Sequence, residues 1–383
     1  MSAGDGLRLS DLDYDLPQDL IAQAPAEPRD ASRLLVCREC ARRRDELPAF
    51  AFEDSVFRDL PTYLRAGDVL VRNDSRVLAA RTHFLRATRG RLELLFLGEE
   101  TDGRGDGVWQ VLMRGRPRVG ERLVCENDPG WHVQVLEDLD EGRWLVKSDH
   151  DAGGGGDVCS LLTRNGEMPL PPYIRQRLDD PQRYQTTYCE AIGSAAAPTA
   201  GLHFTQALDD GLRAAGVQIE ALTLHVGLGT FKPLTVDRLD EVRLHAERFQ
   251  VPRATWDRIV AARAEGRRVI AVGTTVVRVL EHLAASHPVA RPSVGPGPHL
   301  VAAPGPGRSD DDDLLTGTTG LFISPGYQFR VVDGMITNFH LPRTSLLALV
   351  MAFCGVERTR ALYEHAIAAG YRFYSFGDAM LAL

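Results

Sequence analysis

The sequence predicts an α/β protein whose large domain, built from both ends of the chain, surrounds a small antiparallel β-rich insert. Short β-rich runs in the middle of the chain are separated by Gly, Asp and Asn, as in a small barrel or sandwich. Strand and helix patterns alternate in the second half, which is typical of an α/β sheet. Gly153–Gly156 provides a flexible hinge between these regions. We therefore assign residues 1–76 and 155–383 to the large domain and residues 77–154 to the insert.

The segment before the insert carries both helix and strand signals. Apolar residues at helical spacing predict one helix within residues 9–23 and a second over Asp54–Leu64. A break at Gly67 precedes a strand, VLVRN, at residues 69–73. The stretch between them, from Cys37 to Phe52, is expected to form an exposed loop or a hairpin.

The insert and the second half of the chain are read from short runs of residues. Five runs predict the strands of the insert: RLELLFL, WQVLMRG, ERLVC, WHVQVLE and RWLVK. The elements predicted after it are a helix from Thr205 to Arg213, a strand VQIEALTLHVG, a helix over Thr255–Glu265, a strand VIAVG, a helix from a Thr274 cap to His282, a disordered surface loop over residues 286–313, a strand pair LFIS and QFRVVDG, and helices over Pro342–Cys354 and Thr359–Ala369.

Composition limits the classes of function. With 44 basic and 52 acidic residues, the net charge of −8 excludes a polybasic nucleic-acid binder but allows a tRNA or nucleotide substrate. No apolar run reaches the roughly 18 residues of a membrane helix, and the start lacks an apolar signal core, so a cytoplasmic protein is expected. The six cysteines are then expected to remain thiols. Cys37 and Cys40 form a lone C-x-x-C without the second pair of a zinc site.

Common catalytic motifs are missing, and polar residues cluster where predicted elements meet. The sequence holds no G-x-G-x-x-G after a strand, no P-loop, no H-E-x-x-H and no G-x-S-x-G. The clusters occupy residues 72–76, 193–205, 224–231, 269–281 and 338–342. Each has a structural reading, as a capped turn, a small-residue core loop, a β-bulge or a strand–helix junction. Each also has a binding reading, because glycine turns and helix starts present N–H groups to an anionic ligand.

Nine strings of the sequence resemble those of the S-adenosylmethionine:tRNA ribosyltransferase-isomerase family of queuosine biosynthesis. They run in the family's order and cover nearly the whole chain, with the weakest match in the insert. The strings are the stretch from Leu16-Pro17 to Ala31-Ser32-Arg33-Leu34, GDVLVRNDSRVLAAR, PLPPYIR, RYQTTY, GSAAAPTAGLHFT, LHVGLGTFKP, VIAVGTTVVRVLE, SPGYQFRVVDGMITNFHLP and SFGDAML.

The resemblance implies a fold and an activity. The family fold is a large α/β open barrel with a smaller β-barrel domain. Its members transfer and rearrange the ribosyl part of S-adenosylmethionine, as co-substrate, onto 7-aminomethyl-7-deazaguanine at the wobble position of tRNA. Epoxyqueuosine forms, and adenine and methionine leave. The resemblance implies no metal and no membrane partner, and we expect a monomer.

The resemblance also implies roles for residues within these strings. Histidines titrate near neutrality, so proton transfer is assigned to His203 as first choice, with His225, His340, His245 and Glu247. Cofactor binding is assigned to Thr199, Gly227, Gly229, Thr230, Gly273, Thr274, Thr275 and Arg278. Recognition of the deazaguanine is assigned to Asn73, Asp74, Arg76, Tyr184, Gln185 and Asn338. We expect His203, His225 and Thr274 to share one pocket.

Arginines of the insert give a prediction for the tRNA itself. They are expected either to meet tRNA phosphates or to form solvated barrel surface, and they are Arg86, Arg89, Arg91, Arg114, Arg116 and Arg118.

Four departures from the family pattern leave alternative functions open. Val276-Val277-Arg278 stands for Ser-Val-Arg, Gly317–Leu321 lacks an Asp, Arg343-Thr344-Ser345 stands for Lys-Ser-Thr, and GSAAAPTAG stands for GSVAAPTAG. One alternative is a diverged member that uses S-adenosylmethionine on a free nucleobase or a small metabolite. The other is a non-catalytic RNA-binding relative.

Overall fold

The strands within the described residues form a large mixed sheet, a closed barrel and a small two-stranded sheet. The structure is a computed structural model. It describes residues 7–38, 40, 51–100, 106–140, 142–151, 157–176, 178–227, 234, 236–287, 289 and 313–383. Most of the loop predicted over 286–313 therefore lies outside the described residues.

The strands within the described residues are short, and most run for four to nine residues. In chain order they are β1 (Arg33–Cys37), β2 (Phe52–Val56), β3 (Val69–Asn73), β4 (Ser75–Val77), β5 (Arg81–Leu85), β6 (Arg91–Glu99), β7 (Val108–Arg114), β8 (Arg122–Cys125), β9 (Trp131–Asp138), β10 (Arg143–His150), β11 (Ala191–Ser194), β12 (Gln218–Leu224), β13 (Glu247–Pro252), β14 (Val269–Val272), β15 (Leu314–Thr319), β16 (Gly334–Asn338) and β17 (Ala379–Ala382).

The large sheet places four parallel strands side by side. Its nine strands have the order β15-β13-β12-β3-β14-β16-β17-β1-β2, and β12, β3, β14 and β16 run parallel to their neighbours. The central strands β3, β14 and β16 are buried along their whole length, which explains their continuous apolar runs. Their carboxyl ends meet at one edge of the sheet, where α/β proteins bind ligands.

The six strands β5 to β10 close into an antiparallel barrel around its own apolar core. Trp131, Phe84 and Phe96 form the centre of this core, and their rings pack edge-to-face or tilted at 5.1–6.4 Å. The predicted fold class, a large α/β domain with a small antiparallel β-barrel, is confirmed. The domain boundaries at residues 76 and 155 stay a prediction, since a helix just after them also packs on the barrel core.

Among the described residues, six α-helices cover the sheet and one side of the barrel. They are α1 (Val158–Asn165), α2 (Gln206–Ala214), α3 (Arg253–Ala264), α4 (Thr274–Ser286), α5 (Ser345–Cys354) and α6 (Val356–Ala368). Thr205 caps α2 as predicted, because its hydroxyl accepts the N–H of Leu208. None of the helices in the described ranges is both long and apolar enough to cross a membrane.

Several predicted elements differ from the structure. The helix predicted over Asp54–Leu64 is instead the end of β2 and a 3-10 turn, Phe57–Thr62, because Asp54 and Ser55 pair with β1 and Pro61 interrupts helical bonding. The helix predicted within residues 9–23 consists of separate 3-10 turns. Helix α4 is preceded by Gly273 rather than by a Thr274 cap.

The strand pair predicted at LFIS and QFRVVDG is also wrong. Leu321 and Phe322 are partly buried against the main core but lie outside any strand. The strands of this region are the Thr- and Gly-rich β15, which pairs with β13, and β16, which lies between β14 and β17.

Candidate active site

A cavity lies at the edge of the sheet where the parallel strands β12, β14 and β16 end. About 470 Å³ of space lies within its walls and its open mouth taken together. Its wall is formed by Ala197, Pro198, Thr199, Ala200, Val226, Gly273, Thr274, Thr275, Thr337, Asn338, His340, Leu346, Tyr374 and Ser375. The structure thereby brings together five residues predicted for binding and one of the predicted histidines.

One wall of the cavity is the amino-terminal turn of α4. Gly273 precedes the helix with φ +94°, a conformation that L side chains rarely adopt. No side chain in the described part of the chain caps this end of the helix. Thr274 and Thr275 therefore present their main-chain N–H groups at the positive end of the helix dipole, beside the cavity.

Another part of the wall is organised by a hydrogen-bonded row of side chains. Thr199 Oγ1 donates to Asn338 Oδ1 at 2.9 Å, and Asn338 Nδ2 lies 3.2 Å from His203 Nε2. An amide nitrogen cannot accept a proton, so Nε2 is the unprotonated nitrogen of His203. Nδ1 then carries the hydrogen and donates it to Ser32 Oγ at 2.7 Å. His203 thus lies one hydrogen bond behind the cavity wall and fixes the orientation of Asn338.

Both buried histidines near the cavity are neutral. Burial, aided by the positive charges of Arg372 and Arg29, lowers the pKa of His203 to about 3. Burial alone lowers the pKa of His340 to about 3. The Nε2 atom of His340 lies 2.8 Å from Thr337 Oγ1, and its main-chain N–H donates to the Tyr363 hydroxyl at 3.0 Å.

The other predicted proton-transfer residues lie elsewhere. His225 packs against Gly193 behind the wall residue Val226, and burial and Arg248 lower its pKa. Its Nδ1 is buried without a hydrogen-bond partner among the described residues. His245 is exposed. Of the three residues expected in one pocket, only Thr274 lines this cavity.

Glu247 and Arg278 are joined to each other rather than to the cavity. Glu247 Oε2 lies 2.6 Å from Arg278 Nη1, and its Oε1 accepts the N–H of Gly227 at 2.7 Å. Arg278 also donates to the carbonyls of Thr319 and Leu321. Because each polar group has a protein partner, the pair connects α4 to β13 and the end of β15. Gly229 and Thr230, predicted beside Gly227, lie outside the described residues.

Two of the residues predicted to read the deazaguanine hold the fold together. Asn73 donates to the carbonyl of Leu224 and accepts the N–H groups of Leu224 and Ser75, each at 3.0 Å. Gln185 likewise bonds the N–H and the carbonyl of Val77. Neither side chain is part of the cavity wall, and both bond the main chain of neighbouring strands.

The remaining three predicted substrate residues do not line the cavity. Asp74 is half-buried and accepts the hydroxyl of Thr223 at 2.6 Å, and burial raises its pKa. Arg76 is half-buried in β4. Tyr184 is fully buried, with its ring against Phe376.

Sequence reasoning missed three residues of this region. Ser32 bonds His203 across 171 residues of sequence, and Tyr374 and Ser375 form part of the wall. Tyr374 has φ +75°, an uncommon conformation for a residue with a side chain. Ser32 and Ser375 lie in sequence strings that resemble those of the family, and this resemblance is the sequence feature that could have identified them.

The arginines of the barrel cluster at one end. Three are paired with carboxylates: Arg86 with Glu121 at 2.6 Å, Arg91 with Glu126 at 2.9 Å and Arg114 with Glu93 at 3.5 Å. Arg89, Arg116 and Arg118 are exposed on the two adjoining loops, 86–90 and 115–121. The loops contact each other where Arg86 donates to the carbonyl of Arg116.

Comparison with known proteins tests the resemblance seen in the sequence. A family model described as Queuosine biosynthesis protein matches residues 9–382. A protein of Rubrobacter xylanophilus named S-adenosylmethionine:tRNA ribosyltransferase-isomerase is 46% identical, over 98% of each chain. A protein of the same name from Symbiobacterium thermophilum is 44% identical, over 98% of this chain and 100% of its own.

A solved structure agrees with this match. The crystal structure of S-adenosylmethionine tRNA ribosyltransferase from Thermotoga maritima is similar with a TM-score of 0.50 at 32% identity. The alignment covers 97% of this chain and 100% of that one. The similarity thus extends over both the sheet and the barrel, and the chain belongs to the queuosine biosynthesis protein family.

Proposed function

We propose that this chain is an S-adenosylmethionine:tRNA ribosyltransferase-isomerase. The observation that carries the proposal is similarity of 44–46% identity over 98% of the chain to relatives with that name. The cavity supports it, since it lies where parallel strands end, the edge of the sheet at which α/β proteins bind ligands. The acceptor we propose is 7-aminomethyl-7-deazaguanine at the wobble position of tRNA, and the tRNA substrate implies a cytoplasmic location.

The reaction sets requirements that the cavity residues can meet. The sulfonium acidifies the C5′ protons of the ribose, so a base can remove one. The acceptor amine then attacks C1′ as adenine leaves, and rearrangement of the sugar expels methionine. The site must hold the ribose hydroxyls, accept and return a proton, and exclude water.

We assign proton transfer to His340 instead of His203. Among the predicted histidines, His340 lines the cavity, and its lowered pKa keeps it in the unprotonated form that accepts a proton. His203 acts through Asn338, whose remaining amide hydrogen and lone pair can bond a ribose hydroxyl.

The tRNA contact we propose is the arginine-rich end of the barrel. Arg89, Arg116 and Arg118 lie exposed on two touching loops, where phosphate groups can reach them. The paired arginines Arg86, Arg91 and Arg114 shape this surface, but nearby carboxylates reduce their net charge.

Product analysis tests this function. The protein is incubated with S-adenosylmethionine and tRNA bearing the aminomethyl-deazaguanine, and adenine, methionine and the wobble nucleoside are measured by mass spectrometry. One adenine and one methionine per modified nucleoside are expected. Asn338→Ala should abolish most turnover, whereas Asn127→Ala, on an exposed barrel loop, should not.

Two further outcomes would contradict the proposal. Equal turnover with the free deazaguanine base in place of tRNA would indicate a small-molecule enzyme. Folded protein that binds tRNA but never releases adenine would indicate a non-catalytic RNA-binding relative.

A further inference from the structure

We propose that the amino-terminal turn of α4 is a carboxylate subsite, which holds the methionyl end of S-adenosylmethionine in the cavity. This inference rests on the proposed function and names which part of the co-substrate this wall takes. Two observations among the described residues carry it: the uncapped helix end and a buried hydroxyl without a partner.

The helix end offers donors to an anion. Helix α4 has 13 residues, and no side chain of the described residues caps its start at Gly273. The N–H groups of a first helical turn have no acceptor within the helix, and the dipole places partial positive charge there. Thr274 and Thr275, the first two residues of α4, both line the cavity.

The hydroxyl of Thr275 is the second and independent observation. Thr275 is 7% exposed. Its Oγ1 is buried and has no hydrogen-bond partner in the part of the chain that the structure describes. A buried hydroxyl without a partner is unfavourable, so its place in the cavity wall indicates a ligand atom as its partner.

The shape of the backbone admits the ligand. Gly273 has φ +94°, and a Cβ there would lie 3.6 Å from Thr275 Oγ1 and 3.7 Å from Ala200 Cβ. The absence of that Cβ leaves the hydroxyl and the helix start accessible from the cavity.

The co-substrate supplies the anion for this wall. Arg278, one turn along α4, is bound to Glu247 and to two carbonyls, so the donors at this wall are N–H and O–H groups. Such donors at a helix start bind an anionic group. In S-adenosylmethionine that group is the carboxylate of the methionyl part.

Binding measured without turnover tests the subsite. Calorimetry measures the affinities of wild type, Thr275→Val and Thr275→Ser for two ligands. One is S-adenosylmethionine, and the other is its decarboxylated analogue, which keeps the sulfonium nucleoside and the amine. Wild type should prefer S-adenosylmethionine by about tenfold or more. Thr275→Val should weaken the binding of S-adenosylmethionine about tenfold and the binding of the analogue less than about twofold. Thr275→Ser should still bind S-adenosylmethionine more tightly than the analogue.

Opposite results would overturn the inference. If wild type binds both ligands equally, or if Thr275→Val weakens both by the same factor, the carboxylate lies elsewhere. These results are independent of catalysis, because failure of the proposed function would appear as missing adenine release or as no affinity for either ligand.

Discussion

Glu247 and Arg278 form an ion pair in the protein interior, with Oε2 and Nη1 2.6 Å apart and each side chain 4% exposed. The sequence analysis assigned Glu247 to proton transfer and Arg278 to cofactor binding. The structure uses each as the partner of the other, beside the helix that borders the cavity. Their role in the fold can be separated from a role in chemistry by measuring stability.

Arg278→Met should lower the free energy of unfolding by about 3–5 kcal/mol, because the buried carboxylate of Glu247 would lose its cationic partner. Urea unfolding followed by circular dichroism measures this. Arg258→Met is the matched control, since its pair with Glu220 is half-exposed on the arginine side and should cost at most about 1 kcal/mol. Equal losses in the two variants would refute the structural role.

The free energy of unfolding should decrease as the pH is lowered, because His203 and His340 are buried in their neutral form. Each has a pKa of about 3 in the folded protein against 6.5 in the unfolded chain, so the unfolded chain binds more protons between these values. Their contribution is complete above about pH 6.5 and is lost as the pH falls toward 3. Between pH 7 and pH 5 the loss should be roughly 2 kcal/mol for each histidine.

Urea titrations of His203→Asn and His340→Asn check this pH dependence. Each variant should show a smaller fall in stability between pH 7 and pH 5 than wild type. His245→Gln, which alters an exposed histidine, should show the wild-type fall. A wild-type slope in both buried-site variants would contradict the assigned protonation states.

Gly273→Ala and Gly266→Ala separate backbone strain from binding. Both glycines have positive φ, +94° and +74°, so each substitution should cost about 1 kcal/mol of stability. A Cβ at Gly266 meets no atom within 4 Å, whereas one at Gly273 faces the cavity wall. Calorimetry should therefore find weaker S-adenosylmethionine binding in Gly273→Ala alone. Equal affinities would place the ligand away from α4.

Arg89, Arg116 and Arg118 should determine the salt dependence of tRNA binding. Replacing all three with Gln should weaken the affinity for an anticodon stem-loop. The slope of log K against log salt should also fall by roughly 0.7–0.9 per lost phosphate contact. Arg91→Gln is the control, because Arg91 is already paired with Glu126. An unchanged slope in the triple variant would show that the tRNA binds at another surface.

The fold was largely predictable because its strongest signals are local. The continuous apolar runs of β3 and β14 predict buried strands, and the alternating runs of the insert became β6 to β10. The wrong secondary-structure predictions lie where pairing between strands distant in sequence determines whether a segment is a strand. β15, with the sequence LLTGTT, has little apolar character and is a strand because it pairs with β13.

The site was predictable in its residue types but less so in their roles. Gly273, Thr274 and Asn338 were recognisable at the ends of predicted elements, and all three line the cavity. Asn73 and Arg278 have equally suitable chemistry, yet partners distant in sequence occupy their polar groups. Residue type alone cannot distinguish a ligand contact from a structural bond, because the available partners depend on tertiary packing.

A crystal structure with bound S-adenosylmethionine tests the central claim most directly. We predict density for the sulfonium nucleoside in the cavity, with its ribose near Asn338 and His340 and its carboxylate on Thr274 and Thr275. Density at the barrel, or beside His225 on the far side of Val226, would contradict this account of the site.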